Sequence, residues 1–260
     1  MPMVLAETSK RRHYTRIGSK LSDILEILLG VPQGSVLGPI LFNTFINDLL
    51  SSCSEDICNF ADDNTMHICS NSLEDIILRI NSELKNVLGW FVNNGMVANP
   101  DKFQVIFLGI GSSVIDVESG SFTIRSSKEV KLLGVTLDYQ LSFYPHIQSI
   151  CGKAISKIKA LMRIRNYLSQ EQADNLFSSY IMSPLTHCPL IWMFCSRPAH
   201  NMLQKTQYKA LRARFNDFSS SCEKLLERAE SCDIHTRNLR LLMAEIYKTL
   251  NRSNAIIMWD

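Results

Sequence analysis

The spacing of apolar positions changes along the chain, and each change marks an element. From Arg11 to Gly30 apolar residues come singly among polar ones (Tyr14, Ile17, Leu21, Ile24, Ile27), the short-period mixture of a β-ribbon. Gly34-Ser35 then opens a stretch in which Leu37, Ile40, Leu41, Phe45 and Leu49 recur at three and four, predicting a helix to about Leu50. Pro39 falls in its first turns, where a missing N–H costs least. Ile57 to Phe60 and Thr65 to Cys69 are two short apolar runs around a chain reversal, the pattern of a hairpin. The clearest helix follows: Leu73, Ile76, Ile77, Ile80, Leu84, Val87, Leu88 and Phe91 form one stripe. Ser72 is its N-cap, Asp75 stands at the third helical position, and Gly95 after Asn93-Asn94 stops it.

Further on, Phe103 to Leu108, Phe122 to Ile124 and Lys131 to Leu137 read as short strands, with Gly109 to Gly120 as a loop. Helical spacing returns near His146. Ile147, Ile150, Cys151, Ala154, Ile158 and Leu161 make its apolar stripe, flanked by Lys153, Lys157, Lys159 and Arg163. No acidic residue occurs from His146 through Gln170. A solvated helix face normally mixes both signs, so an all-basic stretch suits contact with nucleic-acid phosphates. Ser169-Gln170-Glu171-Gln172 is a capping box opening a helix to about Met182. Pro184 and Pro189 break the pattern, and Trp192 and Phe194 are expected in the core. Lys205, Lys209, Arg212 and Arg214 make a second basic patch, and the last helix spans roughly Arg237 to Leu250. The fold class expected is α+β: antiparallel strands with packed helices, then a mostly helical half.

Composition narrows this little. At 260 residues and 46% hydrophobic, the chain can bury a core in one or two domains. A net charge of +2 does not by itself point to nucleic acid. No apolar run reaches the about 18 residues of a membrane span, and Met1 to Arg12 lacks the apolar core of a signal peptide. An intracellular protein of nucleus or cytoplasm is expected. The 8 cysteines contain no Cys-x-x-Cys and are expected as buried, reduced thiols. His187-Cys188 with Cys195 and His200 lacks zinc-ligand spacing, and a Cys222, Cys232, His235 group would need a fourth ligand.

Chemistry concentrates in two blocks. Gly30-Val31-Pro32-Gln33-Gly34-Ser35-Val36-Leu37-Gly38-Pro39 precedes the hairpin, and Phe60-Ala61-Asp62-Asp63 lies at its reversal. Adjacent carboxylates resist joint ionisation without a cation. With one, they are hard oxygen ligands of the kind Mg²⁺ takes, and two such ions can clamp the attacking and leaving oxygens of a phosphoryl transfer. Asp-Asp-Asn is also ordinary turn composition. A glycine before a helix serves either a plain turn or a close backbone approach to a ligand.

Together with Asn99-Pro100-Asp101-Lys102 and Lys131-Leu132-Leu133-Gly134-Val135, these ordered blocks make the chain resemble the reverse transcriptases of non-LTR retrotransposons, of the LINE-like, jockey-type group, from about Arg11 to about Leu250. The resemblance implies an RNA-directed DNA polymerase using two Mg²⁺ ions, an RNA template, a DNA primer and deoxynucleoside triphosphates, with no membrane. It implies that Asp62 and Asp63 bind the metal and carry catalysis. Gln33, Gly34, Phe60 and Ala61 would lie beside the nucleotide and template, Lys102 beside the triphosphate, and Leu133-Gly134 in the hairpin that grips the primer end. Lys153, Lys157, Lys159, Arg163, Lys205, Lys209 and Arg212 would follow the nucleic-acid backbone. The chain would divide into an incomplete palm, 1–142, and a helical thumb with connector, 143–260.

One departure stands out. The family's third metal-binding aspartate lies on a strand before the Pro-Gln-Gly block, and the 29 residues preceding Gly30 contain nothing resembling it. Asp23 and Glu26 are the nearby acids, in the ribbon. The family's fingers, endonuclease region and zinc knuckle are missing too, and Ile256 to Asp260 reads as a truncation. The expectation is a polymerase fragment inactive on its own. The alternatives are a retroelement remnant without activity and a module retaining only non-specific nucleic-acid binding.

Overall fold

The structure is a computed structural model and describes residues 11–27, 30–31, 34–111, 114–119 and 122–251. Helices and short antiparallel strands are both present, so the chain is α+β. Among the described residues the strands form five two-stranded antiparallel ladders, and no ladder joins another. The chain divides into two compact units, Met1–Phe103 with Ile115–Arg125, and Gln104–Val114 with Ser126–Asp260.

The first unit opens with the expected ribbon. β1 (Arg11–His13) pairs with β4 (Leu25–Ile27), and β2 (Arg16–Ile17) pairs with β3 (Lys20–Leu21) around Gly18. Helix α1 (Gly38–Leu50) starts later than the sequence suggested. The Ser35 hydroxyl accepts the Gly38 N–H at 2.9 Å, so Gly34 to Leu37 is a turn leading into the helix. Pro39 lies in the first turn, as its fixed φ and missing donor favour. Next comes the hairpin of β5 (Asp56–Phe60) and β6 (Asp63–His67).

Helix α2 (Leu73–Asn93) is closed at both ends by its own sequence. Ser72 accepts the Asp75 N–H. At the other end the Met96 N–H returns to Phe91 O at 2.8 Å and the Gly95 N–H to Val92 O at 3.1 Å, with Gly95 at φ 69°. These two bonds make a Schellman stop. Ile46 and Leu49 of α1 and Val87 and Trp90 of α2 form the core, and Ile57 and Met66 from the inner hairpin face pack on it. β7 (Asp116–Ser119) pairs with β8 (Phe122–Arg125), where Val117 opposite Ile124 is buried.

Phe103 to Leu108 is not a strand. Val105 O accepts the Ser127 N–H at 2.8 Å and the segment has no ladder, while Asp116 to Ser119, expected as loop, is paired. In the second unit β9 (Glu129–Leu132) and β10 (Val135–Asp138) form a tight hairpin. Asp138 is buried and its carboxylate accepts the N–H groups of Gln140, Ser142 and Phe143, which places the start of α3 (Tyr144–Ile164).

α3 packs along α7 (Arg197–Phe215). Between them run α4 (Gln170–Asn175), which continues as a π-helical stretch Leu176–Met182, then the short α5 (Ser183–Leu185) and α6 (Pro189–Trp192). The α3 stripe, Phe177, Ile181, Leu185, Trp192, Leu203 and Leu211 make one core with α8 (Cys222–Arg228) and the start of α9 (Ile234–Asn251). Fully burying each such large side chain contributes about 1.5–3 kcal/mol. Trp192 is 0% exposed as expected, but Phe194 is 76% exposed. The helix ends at Trp192, so the two rings do not share a helical face.

Candidate active site

β5 alternates strictly between exposed and half-buried positions, whereas in β6 Asn64, Thr65 and Met66 are all half-buried. Ile57, Asn59, Asn64 and Met66 form one face toward the α1–α2 core, while Asp56, Cys58 and Phe60 are exposed on the other. Its reversal is Ala61-Asp62 between the paired residues Phe60 and Asp63. Ala61 has φ 53° and Asp62 does not have a positive φ, as in two-residue loops where glycine normally takes the first position. An alanine there costs about 1–2 kcal/mol relative to an unstrained backbone. Such outliers persist where surrounding structure fixes them, and they cluster at functional sites.

The fixing comes from the root. Arg79 on α2 donates from Nε to Glu55 Oε1 at 2.6 Å and from Nη1 to Cys69 O at 2.9 Å, gripping the chain before β5 and after β6. Its hydrogen bond holds the Glu55 carboxyl below the usual carboxylate range. Glu83, also on α2 and buried, accepts the Ser54 N–H at 3.1 Å. Nearby burial, with the Glu83 carboxylate adding in the same direction, pushes the Cys53 thiol up.

Asp62 and Asp63 therefore stand exposed at the far end of an anchored hairpin. Among the described residues neither carboxylate makes an ion pair or a hydrogen bond, and no three His, Cys, Asp or Glu gather to hold a metal. Two free, adjacent, hard oxygen donors fit part of a Mg²⁺ site. Phe60, 64% exposed, and Ala61 share that end. Beneath it, Asn59 and Asn64 face each other across the ladder, and both side-chain oxygens are buried without a partner among the described residues.

The other candidate residues lie on separate elements. Gln33 falls outside the described residues. Gly34 is exposed at φ 81°, with nothing among the described residues near the place a Cβ would occupy. Lys102 ends a 3₁₀ turn, Pro100–Lys102, fixed by Asn99, whose side chain accepts the Asp101 N–H and whose carbonyl accepts that of Lys102. Leu133 and Gly134 form the β9–β10 turn, both with positive φ, 46° and 87°. Of the basic residues, Lys153, Lys159, Arg163, Lys205 and Lys209 are exposed. Lys157 is committed internally: its amine donates to Tyr180 O at 2.8 Å and lies 4.1 Å from the Tyr180 ring centroid. Arg214 pairs with Asp174 at 2.7 Å, and the Arg212 Nε is buried without a partner among the described residues.

The sequence suggests no role for Arg79, Glu83, Asp138 or His146, and it offers His187 only as a candidate zinc ligand, not as a partner of Leu133. Glu83 carried a signal, a charge on the buried side of the α2 stripe. All 8 cysteines are free, but against expectation only Cys151 is buried and Cys58 and Cys69 are exposed; among the described residues no helix is long and apolar enough to cross a membrane.

Residues 6–137 match the family model described as reverse transcriptase (RNA-dependent DNA polymerase). The chain is similar to "RNA-directed DNA polymerase from mobile element jockey" of Drosophila melanogaster, 27% identical over 78% of this chain and 24% of that protein. It is 25% identical to "Probable RNA-directed DNA polymerase from transposon BS" of the same fly, over 78% of this chain and 24% of the relative. A third relative, "Retrovirus-related Pol polyprotein from type-1 retrotransposable element R1 2" of Nasonia vitripennis, is 25% identical over 63% of this chain and 43% of its own length. The chain thus spans 24% of the length of each of the two fly relatives. No solved structure matches.

Proposed function

The chain belongs to the reverse transcriptase (RNA-dependent DNA polymerase) family of non-LTR retrotransposons, and from that premise we propose that it carries the metal-binding end of a polymerase palm followed by a helical thumb. The palm would occupy 1–142 and the thumb with its connector 143–260. The observation that carries the reading is the exposed, unengaged pair Asp62 and Asp63 at the end of a hairpin anchored by Arg79. In this reading the reaction is RNA-templated DNA synthesis, in which a primer 3′-hydroxyl attacks the α-phosphate of a deoxynucleoside triphosphate.

Asp62 and Asp63 would hold Mg²⁺, whose chemistry when bound would be to stabilise charge developing on the phosphate. Gln33, Gly34, the exposed Phe60 and the strained Ala61 would lie beside the nucleotide and template. Lys102 flanks the triphosphate, and the Leu133-Gly134 turn holds the primer end. Lys153, Lys159, Arg163, Lys205 and Lys209 lie on exposed positions from which lysine and arginine can reach phosphates. Two carboxylates alone leave a two-ion site under-coordinated, because Mg²⁺ demands near-octahedral oxygen ligation. In this reading the isolated chain would give no primer extension.

Two assays test this. Anisotropy titration on an RNA–DNA hybrid with a recessed 3′ end should show binding that weakens with salt. Changing Lys153, Lys159 and Arg163 together to Ala should flatten the salt slope by about two to three units, at about 0.9 per phosphate on B-DNA. Binding that ignores both salt and the triple variant overturns the thumb reading. Primer extension on an RNA template should give no product. Incorporation that disappears in Asp62→Asn overturns the claim of inactivity.

A further inference from the structure

The β9–β10 turn is strained where the sequence gives no relief. Leu133, a branched residue, sits at φ 46°, a left-handed backbone that normally selects glycine or asparagine. Something outside the hairpin must hold it there. That hold is His187, whose Nε2 lies 3.1 Å from Leu133 O and 3.2 Å from the place a Gly134 Cβ would occupy. A carbonyl only accepts, so Nε2 carries the hydrogen and donates. The Cys188 thiol, at 3.5 Å from the same nitrogen, is therefore not its donor.

His187 is itself placed from the core. The indole N–H of Trp192, fully buried, donates to His187 O at 3.0 Å. Cys188, at φ 46°, turns the chain from His187 into α6, which carries Trp192. A second histidine holds the same hairpin from the same indole. His146, 3% exposed, packs its ring 6.2 Å from that of Trp192 and accepts the Thr136 N–H of β10 on Nδ1 at 3.3 Å.

We propose that His187 is a positioning residue for the Leu133-Gly134 turn, transmitting the rigidity of the buried Trp192 to the hairpin tip and so fixing the nucleic-acid strand end the tip contacts. The strand-end clause rests on the primer-grip reading of that turn. The tether does not. Glycine at position 134 fits the same picture: a side chain there would crowd the imidazole.

The test uses the whole chain and three variants. His187→Ala removes donor and bulk, His187→Phe keeps bulk without a donor, and His187→Gln offers an amide N–H in place of Nε2. Amide hydrogen exchange is read at 133–136 and in α3, and affinity is compared for a recessed 3′ end against a blunt duplex. Expected for His187→Ala and His187→Phe is exchange at least tenfold faster at 133–136, with α3 protection unchanged. They should also lose severalfold in preference for the recessed end, with affinity for the blunt duplex unchanged. His187→Gln should recover both. A purely packing role predicts that His187→Phe behaves as wild type, which would overturn the proposal. So would unchanged exchange in His187→Ala, or faster exchange with an unchanged end preference. A wild-type chain without any end preference refutes the primer-grip reading, and the exchange comparison then decides the tether alone.

Discussion

The two hairpins that carry candidate site residues are built oppositely. Both are two-stranded, and both put a non-glycine residue at positive φ in the turn, Ala61 in β5–β6 and Leu133 in β9–β10. The first is held at its root, by Arg79 on Glu55 and Cys69 O, and its tip is free. The second is held at its tip, by His187, and along β10, by His146. In the proposed roles, the first tip offers charge to a cation and is left unengaged, anchored from behind, and the second keeps its position because it is clamped at the turn.

The largest way to break this comparison is Trp192→Ala. Removing a fully buried indole should cost about 3–5 kcal/mol in urea unfolding, and it should loosen β9–β10 in hydrogen exchange while β5–β6 keeps its protection. Equal loosening of both hairpins would show that they are not separately anchored. The converse is Arg79→Met, which should speed exchange across Asp56 to His67 and leave β9–β10 unchanged. Arg79→Lys should recover only part of this protection, because a single ammonium cannot reproduce the fork that Arg79 places on Glu55 and Cys69 O. Full recovery by Lys would mean that charge alone anchors the root.

The smallest effect is a pH dependence confined to the second hairpin. Burial holds the His146 imidazole below its usual range, and His187 and Lys153 act in the same direction. The unfolded chain titrates at about 6.5. With the folded pKa the lower of the two, the stabilisation is complete above about 6.5 and is lost as pH falls from there to the folded value. Protonation would also turn Nδ1 into a donor facing the Thr136 N–H. Urea unfolding from about pH 7.5 to about pH 5.5 should show this loss in the wild type and a flatter profile in His146→Gln. Identical profiles would remove His146 from the hold.

Much of the first hairpin was legible in the sequence because its determinants are local. Apolar runs flank the reversal and Ser72 and Gly95 bracket α2, while of the expected α2 stripe only Val87 is buried, beside Glu83 and Trp90 from outside it. The strand expected at Phe103 to Leu108 failed because propensity supplies no partner: Val105 O meets one N–H from Ser127 instead of a ladder. Phe194 failed for a similar reason, since aromatic character does not say where α6 ends. His187 was not legible at all. Its partner Leu133 lies 54 positions away, and nothing near either residue announces the pairing. Lys157 looked like its basic neighbours until the fold placed Tyr180 beneath it.

Mn²⁺ titration followed by amide NMR tests whether Asp62 and Asp63 form the proposed cation site at the free hairpin end. Paramagnetic broadening should appear first at 61–64, reverse on adding Mg²⁺, and vanish in the Asp62→Asn, Asp63→Asn double variant. Broadening scattered over other surface acids, or unchanged in the double variant, would contradict the account.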